Sequence, residues 1–167
     1  DKGIDEAALK KEYEAADKSA YTIASVRHIL ISTESRKPEE ALKLTNELIA
    51  RLKKGEDFAK LAKEFTEDPG SKETGGLYEN TNVNNWVPEF KKAALTQPLN
   101  QISDPAVKTD YGYHIVRVEK REVEPFDKVK NNLKQQHLGK AYDQFITVEL
   151  DKLVTKWNVP EVKPATK

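Results

Sequence analysis

Two runs of branched apolar residues, far apart in the sequence, place the strongest constraint on the fold of this chain. The first run is 26–31 (Val-Arg-His-Ile-Leu-Ile) and the second is 113–119 (Tyr-His-Ile-Val-Arg-Val-Glu). Branched residues favour β-strands, and successive side chains of a strand point to opposite faces. Each run therefore predicts a strand with a histidine beside apolar residues on one face. These faces consist of Val26, His28 and Leu30 in the first strand and of His114, Val116 and Val118 in the second.

The segment between the two strands carries the signals of three helices. Pro38 suits the first position of a helix, and Gly55 suits the residue that follows its end. Asp57 can cap a second helix that begins directly afterwards. Pro88 can begin a third, short helix that ends near 97–98.

The remaining segments predict a loop and two weaker strands. Residues 66–85 are rich in Gly, Pro and Asn, which indicates an irregular loop with one short strand near Leu77. A further strand is predicted at 102–103. The order β-α-α-(β)-α-β-β predicts an α+β domain whose small antiparallel or mixed sheet has about four strands, with about four helices.

Helical patterns also flank this domain. Residues 5–18 predict a short helix with a thin apolar stripe, and 127–157 predict one long helix. At 1.5 Å per residue the long helix extends about 45 Å, so part of it must project beyond a domain of about a hundred residues. Its outer half carries more apolar surface than the short helix can cover, so we expect another surface to cover it. This apolar stripe consists of Phe145, Ile146, Val148, Leu150, Leu153, Val154 and Trp157.

Charge and composition exclude several classes of function. The chain has 28 Lys and Arg against 28 Asp and Glu, interspersed, so it lacks the basic surface that binds nucleic acid or an anionic membrane. It has no Cys, which excludes disulfides, thiolate catalysis and Cys-ligated metals. The first residues, Asp1-Lys2-Gly3, are neither an initiator Met nor a signal peptide, so we expect a mature chain or an excised fragment.

His28 and His114 allow three interpretations. Each could be a hydrogen-bonded core residue, or the two imidazoles could bond to each other beneath a pocket if their strands pair. A metal site is disfavoured, because the sequence has no His-x-His or His-Glu-x-x-His spacing and no third ligand at a telling distance. A purely helical interaction module would not explain histidines on two strands. We therefore predict neither a metal nor a cofactor.

Five short motifs are weak individually but specific together, in their order and spacing. They are Val26-Arg27-His28-Ile29-Leu30, Asp57-Phe58-x-x-Leu61-Ala62, Gly75-Gly76-Leu77, Ile102-Ser103-Asp104-Pro105 and Tyr111-Gly112-Tyr113-His114-Ile115. In these motifs, over about 25–119, the chain resembles the parvulin-type peptidyl-prolyl cis/trans isomerases, and within them the extracytoplasmic foldases of the PrsA type. The resemblance implies a parvulin-like domain between the flanking helices.

The resemblance also implies a set of site residues. His28 and His114 become the paired histidines, Thr109 the hydroxyl that bonds one of them, and Asp68 the acidic group beside the reacting amide. Asp68 would either donate a hydrogen bond when protonated or orient the histidine pair. The residues at the positions where the family lines its proline pocket are Leu77, Trp86 and Phe90.

Four features depart from the family pattern. Trp86 replaces the usual Met and would narrow the pocket, and the common Gly-Gly-Asp-Leu-Gly reads Gly75-Gly76-Leu77-Tyr78. Ala106 is one extra residue before the last strand, which predicts a β-bulge near Thr109. Asn100 stands where relatives commonly have Gly, and Asn tolerates positive φ.

We therefore expect a peptidyl-prolyl isomerase that assists the folding of secreted proteins. It should act without a covalent intermediate and without a phosphate requirement, since the connection 32–37 carries only two cations. The alternative is a non-catalytic, peptide-binding chaperone on the same scaffold. Expected partners are proline-containing, unfolded or partly folded polypeptides and not nucleic acid, with self-association through the C-terminal helix.

The resemblance further implies an extracytoplasmic location, at the cell surface or secreted. Relatives are tethered by a lipid on an N-terminal cysteine, an anchor absent from this chain. The predicted organisation is an N-terminal flanking helix (1–20), an isomerase domain (21–123), a long helix that is part of a helical chaperone-like region (124–159) and a tail (160–167).

Overall fold

The computed structural model describes residues 5–157, and of residues 153–157 it describes the backbone alone. The chain divides into two compact units. One unit is Asp17–Glu124, and the described part of the other consists of residues 5–16 and 125–157. The predicted tail, 160–167, lies outside the described residues.

Unit 17–124 is built on an antiparallel sheet of four strands in the order β2-β1-β4-β3 among the described residues. The two predicted strand runs form its two central strands, β1 and β4, which pair along almost their whole length. The strands are β1 (Thr22–Ser32), β2 (Leu77–Asn82), β3 (Val107–Thr109) and β4 (Gly112–Val123).

Five α-helices lie within residues 5–157, and short 3-10 helices span Lys18–Tyr21 and Val83–Asn85. The caps agree with the sequence signals, since Pro38 and Pro88 begin helices and Asp57 accepts a hydrogen bond from Lys60 N–H. The predicted α+β class is confirmed. The helices are α1 (Glu6–Ala15), α2 (Pro38–Lys53), α3 (Phe58–Phe65), α4 (Pro88–Thr96) and α5 (Phe126–Trp157).

The two faces of the sheet bury different clusters. Ile29, Ile31 and Ile115 face α2 and α3, whereas alternate residues of β1 and β4 pack with Phe90 and Ala94 of α4. His28 and His114 belong by alternation to the face that α4 covers. The histidines therefore lie between the sheet and α4.

Two local predictions for the segment before β4 are wrong. Ile102 forms an isolated bridge with Arg117, and the third strand begins at Val107 instead. Pro105 lacks an N–H, so regular pairing starts only after it. Ala106 packs against the cluster around Ile29, and the register shift between β1 and β4 lies elsewhere, where Ser25 pairs with Lys120 and Val26 with Val118, so that Glu119 of β4 is the extra residue.

The N-terminal helix is shorter than predicted. It ends at Ala15 rather than near residue 18. Asp17 then accepts a hydrogen bond from Ser19 N–H at 2.8 Å and caps a separate 3-10 helix. Short polar side chains compete in this way with helix continuation. The prediction for Asn100 holds, because this residue adopts a φ of 61°.

In the second unit, α1 packs on the first turns of α5. Leu9, Val129 and Leu133 are buried there, and the Tyr13 and Phe126 rings lie 5.7 Å apart. Farther along α5 several large apolar side chains are exposed, and those of Leu153, Val154 and Trp157 lie outside the described residues. The exposed ones are Leu138, Tyr142, Phe145, Ile146, Val148 and Leu150. Within the described part of the chain, no helix combines the length and apolarity that a membrane span needs.

Candidate active site

The pairing of β1 with β4 brings the two buried histidines together. In this antiparallel register, Leu30 lies opposite His114 and His28 lies opposite Val116. The two imidazoles stack with their centroids 5.4 Å apart and their planes 13° apart. Their Nδ1 atoms are 3.2 Å apart, a hydrogen-bond distance. The interpretation of two mutually bonded imidazoles is therefore the one that the geometry supports.

Asp68 reaches the outer nitrogen of this pair from the segment that follows α3. Thr66 fixes the start of the segment, because its hydroxyl oxygen accepts a hydrogen bond from Leu30 N–H. The Asp68 Oδ1 atom accepts one from Gly70 N–H, which closes a tight turn. Its Oδ2 atom lies 2.9 Å from His28 Nε2 and accepts from the Ser71 hydroxyl at 2.5 Å. Asp68 is thus held by its own turn and by β1.

Thr109 occupies the opposite end of the histidine pair. The β3–β4 hairpin places its Oγ1 atom 2.9 Å from His114 Nε2. The same oxygen accepts a hydrogen bond from Tyr111 N–H at 3.2 Å. Thr109, His114, His28 and Asp68 therefore form one continuous hydrogen-bonded chain.

Asp68 and His114, two members of the hydrogen-bonded chain, have strongly shifted pKa values. Burial alone would raise the pKa of Asp68, but hydrogen bonds from His28, Ser71 and Tyr78 outweigh it and hold the pKa well below its ordinary value. Burial, reinforced by the neighbouring His28, lowers the pKa of His114 to about 3. At neutral pH the carboxylate is ionised and the His114 imidazole is uncharged.

One tautomer arrangement satisfies every ring nitrogen when both imidazoles are neutral. His28 Nε2–H donates to Asp68, so His28 Nδ1 is free to accept from His114 Nδ1–H. His114 Nε2 then accepts from the Thr109 hydroxyl. Asp68 thereby sets the direction of every hydrogen bond from His28 through His114 to Thr109.

A glycine turn closes the site behind His28. Gly76 has a φ of 83°, and a Cβ there would lie 2.2 Å from the His28 carbonyl oxygen. The Gly76 carbonyl accepts from His28 N–H at 2.8 Å. Arg27 donates to the carbonyls of Thr74 and Gly75 and pairs with Glu119 on β4. The turn is thus anchored to both central strands.

A cavity of about 410 Å³ opens above the histidines. The Phe90 ring meets both imidazoles edge-on, at 5.2 and 5.4 Å, and the Trp86 ring lies 5.2 Å from Phe90. Aromatic walls therefore stand beside the polar chain. The lining residues are His28, Leu30, Ser32, Glu34, Glu67, Asp68, Pro69, Tyr78, Asn85, Trp86, Val87, Phe90, Tyr111 and His114.

The structure brings six of the seven predicted side chains together and separates one. Leu77 lies outside the cavity lining, whereas the next residue, Tyr78, lines it. Leu77 pairs with Arg27, whose side chain points away from His28. Aligning the two glycines with the family's Gly-Gly-Asp-Leu-Gly pattern puts the Leu position at Tyr78, so the assignment of Leu77 is one residue out of register.

Two residues at the site were missed from the sequence. Ser71 is fully buried, and its hydroxyl lies 3.0 Å from His28 Nε2 as well as bonding Asp68. Tyr78 donates its hydroxyl to Asp68 Oδ2 at 2.9 Å. The spacing Asp68-Pro69-Gly70-Ser71 is a signal for a turn that returns a side chain to the aspartate, and it could have indicated Ser71.

The described residues contain no group of three His, Cys, Asp or Glu arranged to hold a metal ion. The ring nitrogens of His28 and His114 are all within hydrogen-bond distance of protein groups.

The fold is that of the parvulin-like isomerase domains. A crystal structure of a PpiC-type peptidyl-prolyl cis-trans isomerase domain superposes with a TM-score of 0.59 at 15% identity, covering 64% of this chain and 97% of that domain. The family model of the PPIC-type PPIase domain matches residues 10–122. The chain therefore belongs to the family of PPIC-type peptidyl-prolyl isomerase domains.

Within this family the chain is similar to foldase proteins PrsA. It is 39% identical over 146 residues to the Caldanaerobacter subterraneus foldase protein PrsA, covering 87% of this chain and 44% of the relative. It is 42% identical over 111 residues to foldase protein PrsA 3 of Bacillus cereus, covering 66% and 36%. The chain thus spans less than half the length of these relatives.

A solved structure extends the likeness to both units. The peptidylprolyl isomerase PrsA of Bacillus anthracis matches with a TM-score of 0.58 at 28% identity, covering 93% of this chain and 70% of that structure.

Proposed function

We propose that unit 17–124 catalyses cis/trans isomerisation of X–Pro bonds in unfolded or partly folded polypeptides. The observation that carries the proposal is the hydrogen-bonded chain from Thr109 to Asp68, which lies directly beneath a cavity walled by Trp86 and Phe90. Membership of the PPIC-type family supports it.

The reaction requires stabilisation of a twisted amide and no bond cleavage. Amide resonance sets a barrier of about 18–20 kcal/mol, and the twisted transition state loses the charge-separated form of the planar amide. An apolar site that grips the proline ring and removes water from the carbonyl therefore favours the twisted state over either planar state. Trp86, Phe90 and the Tyr78 ring supply such a surface.

The role assigned to Asp68 is to orient the histidines. Three donors bond its Oδ2 atom, and its lowered pKa keeps it an acceptor. Donation from a protonated Asp68 to the substrate carbonyl is disfavoured for the same reason. Held by hydrogen bonds to Asp68 and Thr109, His28 and His114 form a rigid floor on which the amide can rotate.

The charges around the cavity support substrates without phosphate. Glu34, Glu67 and Asp68 line it, and the described lining includes no Lys or Arg. Arg36, one of the two cations in the 32–37 connection, is engaged by both carboxylate oxygens of Glu67. Among the described lining residues, a phosphate before proline would meet carboxylates and no Lys or Arg.

The similarity to foldase proteins PrsA supports a role in the folding of secreted proteins, outside the cytoplasm. We assign the protein to the cell surface or the secreted fraction, held at a membrane by an anchor. The exposed apolar residues of α5 support self-association or contact with unfolded clients.

Exchange NMR on a short Ala-Pro peptide tests the activity. We expect catalytic amounts of the chain to produce cis/trans exchange peaks that the free peptide lacks, because uncatalysed exchange takes tens to hundreds of seconds. The same peptide with alanine in place of proline is the control. Peptide binding, seen as shift changes, with an unchanged exchange rate would favour the non-catalytic chaperone instead.

A further inference from the structure

We propose that the Tyr78 hydroxyl, in space left by Gly70, is a positioning group that holds the Asp68 carboxylate against His28. This inference rests on the proposed isomerase function, and it concerns a side chain that the family pattern does not supply. The pattern has Leu where this chain has Tyr78, and a leucine cannot donate a hydrogen bond.

The hydroxyl and the ring of Tyr78 serve different purposes. The hydroxyl donates to Asp68 Oδ2 at 2.9 Å, on the oxygen that also faces His28 Nε2. The ring lines the cavity, with its centroid 5.5 Å from that of His28. Substitution by Phe therefore removes the hydrogen bond while keeping the wall.

Gly70 provides the space for this hydroxyl. A Cβ at Gly70 would lie 2.5 Å from the Tyr78 hydroxyl oxygen, closer than real Cβ contacts. Gly70 does not have a positive φ, so its backbone conformation would accept alanine. The requirement for glycine here is therefore one of space, and it exists because the hydroxyl occupies that space.

The electrostatic surroundings make Tyr78 a permanent donor. Burial, together with the hydrogen bond to Asp68, raises the pKa of Tyr78 to about 12. The other ionisable groups near Asp68 are already engaged: His28 and His114 with each other, Glu67 with Arg36, and Lys72 with the Thr66 carbonyl. Tyr78 is thus a third donor to Asp68 Oδ2 beside His28 and Ser71, and its removal loosens the carboxylate on the side of the cavity wall.

The first test compares Tyr78→Phe with Tyr113→Phe, which lies on the opposite face of the sheet, outside the cavity lining. Hydrogen bonds to charged groups are strong enough to shift a pKa by about one pH unit. We expect Asp68 in Tyr78→Phe to begin protonating about one pH unit higher, measured by its carboxyl ¹³C shift. The pH below which isomerase activity is lost should increase by a similar amount, and the loss should appear in kcat rather than in KM. An unchanged Asp68 titration would overturn the proposal.

The second test is a double-mutant cycle with Gly70→Ala. In the wild-type background the added methyl group displaces the Tyr78 hydroxyl, so kcat should fall and the His28 ring ¹⁵N shifts should move. In the Tyr78→Phe background the methyl group has room, so Gly70→Ala should add little. Additive effects of the two substitutions would contradict the coupling.

The two proposals can fail separately. If the wild-type chain does not accelerate exchange, the proposed function is wrong, yet the Asp68 and His28 shifts still decide whether Tyr78 positions the carboxylate. If the chain is active and the Asp68 and His28 shifts are the same in wild type and Tyr78→Phe, the positioning role alone is wrong.

Discussion

His28 and His114 share a contact between two Nδ1 atoms 3.2 Å apart, although 86 positions separate them in the chain. Two identical ring atoms can form this hydrogen bond only if one carries a proton and the other does not. The tautomer of each ring therefore depends on its outer partner, which is Asp68 for His28 and Thr109 for His114. The hydrogen bonds of the four groups are therefore coupled, and a substitution at Asp68 or Thr109 should change the hydrogen bonding at the other end.

Thr109→Val tests this dependence from the end farthest from Asp68. Valine keeps the shape of threonine but removes the donor to His114 Nε2, which then stays buried without a partner. We expect the free energy of unfolding to fall by about 1–3 kcal/mol, and isomerase activity to fall as well. Urea denaturation and exchange NMR measure the two effects.

Thr45→Val is the matched control. Thr45 is also buried, but its hydroxyl donates to the Ala41 carbonyl within α2, which packs on the opposite face of the sheet. Thr45→Val should lower the free energy of unfolding without reducing isomerase activity. Equal loss of activity in both variants would mean that Thr109 acts through stability alone.

The sequence is most informative where apolar patterning is strong. Branched residues identify β1 and β4, and alternation puts His28 and His114 on one face. β3 is hard to recognise, because a three-residue edge strand with Lys108 at its centre has no apolar period. Its position depends on pairing with β4, which is a tertiary contact.

Errors at the site have a similar cause. The Leu77 assignment fails because a strand reverses its faces with every residue, so a shift of one position moves a side chain from the cavity to the other face. Ser71 lies in a polar loop where nothing in the composition indicates complete burial. The extra residue of β4 at Glu119 is likewise not indicated by local patterning, since it depends on the register between β1 and β4.

The pKa of His114 predicts that acid destabilises unit 17–124. An unfolded histidine binds a proton near pH 6.5, whereas burial keeps folded His114 neutral until about pH 3. Stability is therefore complete above pH 6.5 and falls as the pH decreases through this window, by up to about 1.4 kcal/mol per pH unit. Asp68, whose pKa is also lowered, adds to this loss only below about pH 4.

Chemical denaturation at pH values from 4 to 8 measures this slope. His114→Gln should flatten it, because the variant has no imidazole to titrate. His137→Gln, which removes a partly exposed histidine on α5, should leave the slope unchanged. A slope that survives in His114→Gln would assign the acid sensitivity to other groups.

Gly76→Ala should damage both stability and activity. The residue has a positive φ, and the new Cβ would meet the His28 carbonyl at 2.2 Å, so strand β2 must shift. We expect a loss of more than about 2 kcal/mol in the free energy of unfolding. Gly139→Ala in α5 is the control, since nothing lies near its Cβ and alanine favours a helix by about 0.5–1 kcal/mol. Similar melting temperatures for wild type and Gly76→Ala would contradict the close approach.

Trp86→Ala should weaken peptide binding more than it slows catalysis. Trp86 packs edge-on against Phe90 in the cavity wall. It forms no hydrogen bond with Thr109, His114, His28 or Asp68 in the described structure. Losing a large apolar contact predicts a roughly tenfold rise in KM with a smaller change in kcat. Leu99→Ala, an exposed residue outside the cavity lining, is the control. A fall in kcat alone would instead place Trp86 in the catalytic step.

The exposed residues of α5 predict association of this chain at high concentration. α1 covers the first turns through Leu9, but Tyr142, Phe145 and Val148 remain at least half exposed. Apolar area of this kind is favourably removed from water by contact with a second apolar surface. Sedimentation velocity should therefore detect species larger than a monomer as concentration rises, and Phe145→Lys should shift the distribution towards the monomer. Gln144→Lys introduces the same charge at the adjacent position and should shift it much less. A strict monomer at high concentration, or an equal response to both substitutions, would show that the apolar side chains of α5 do not drive association.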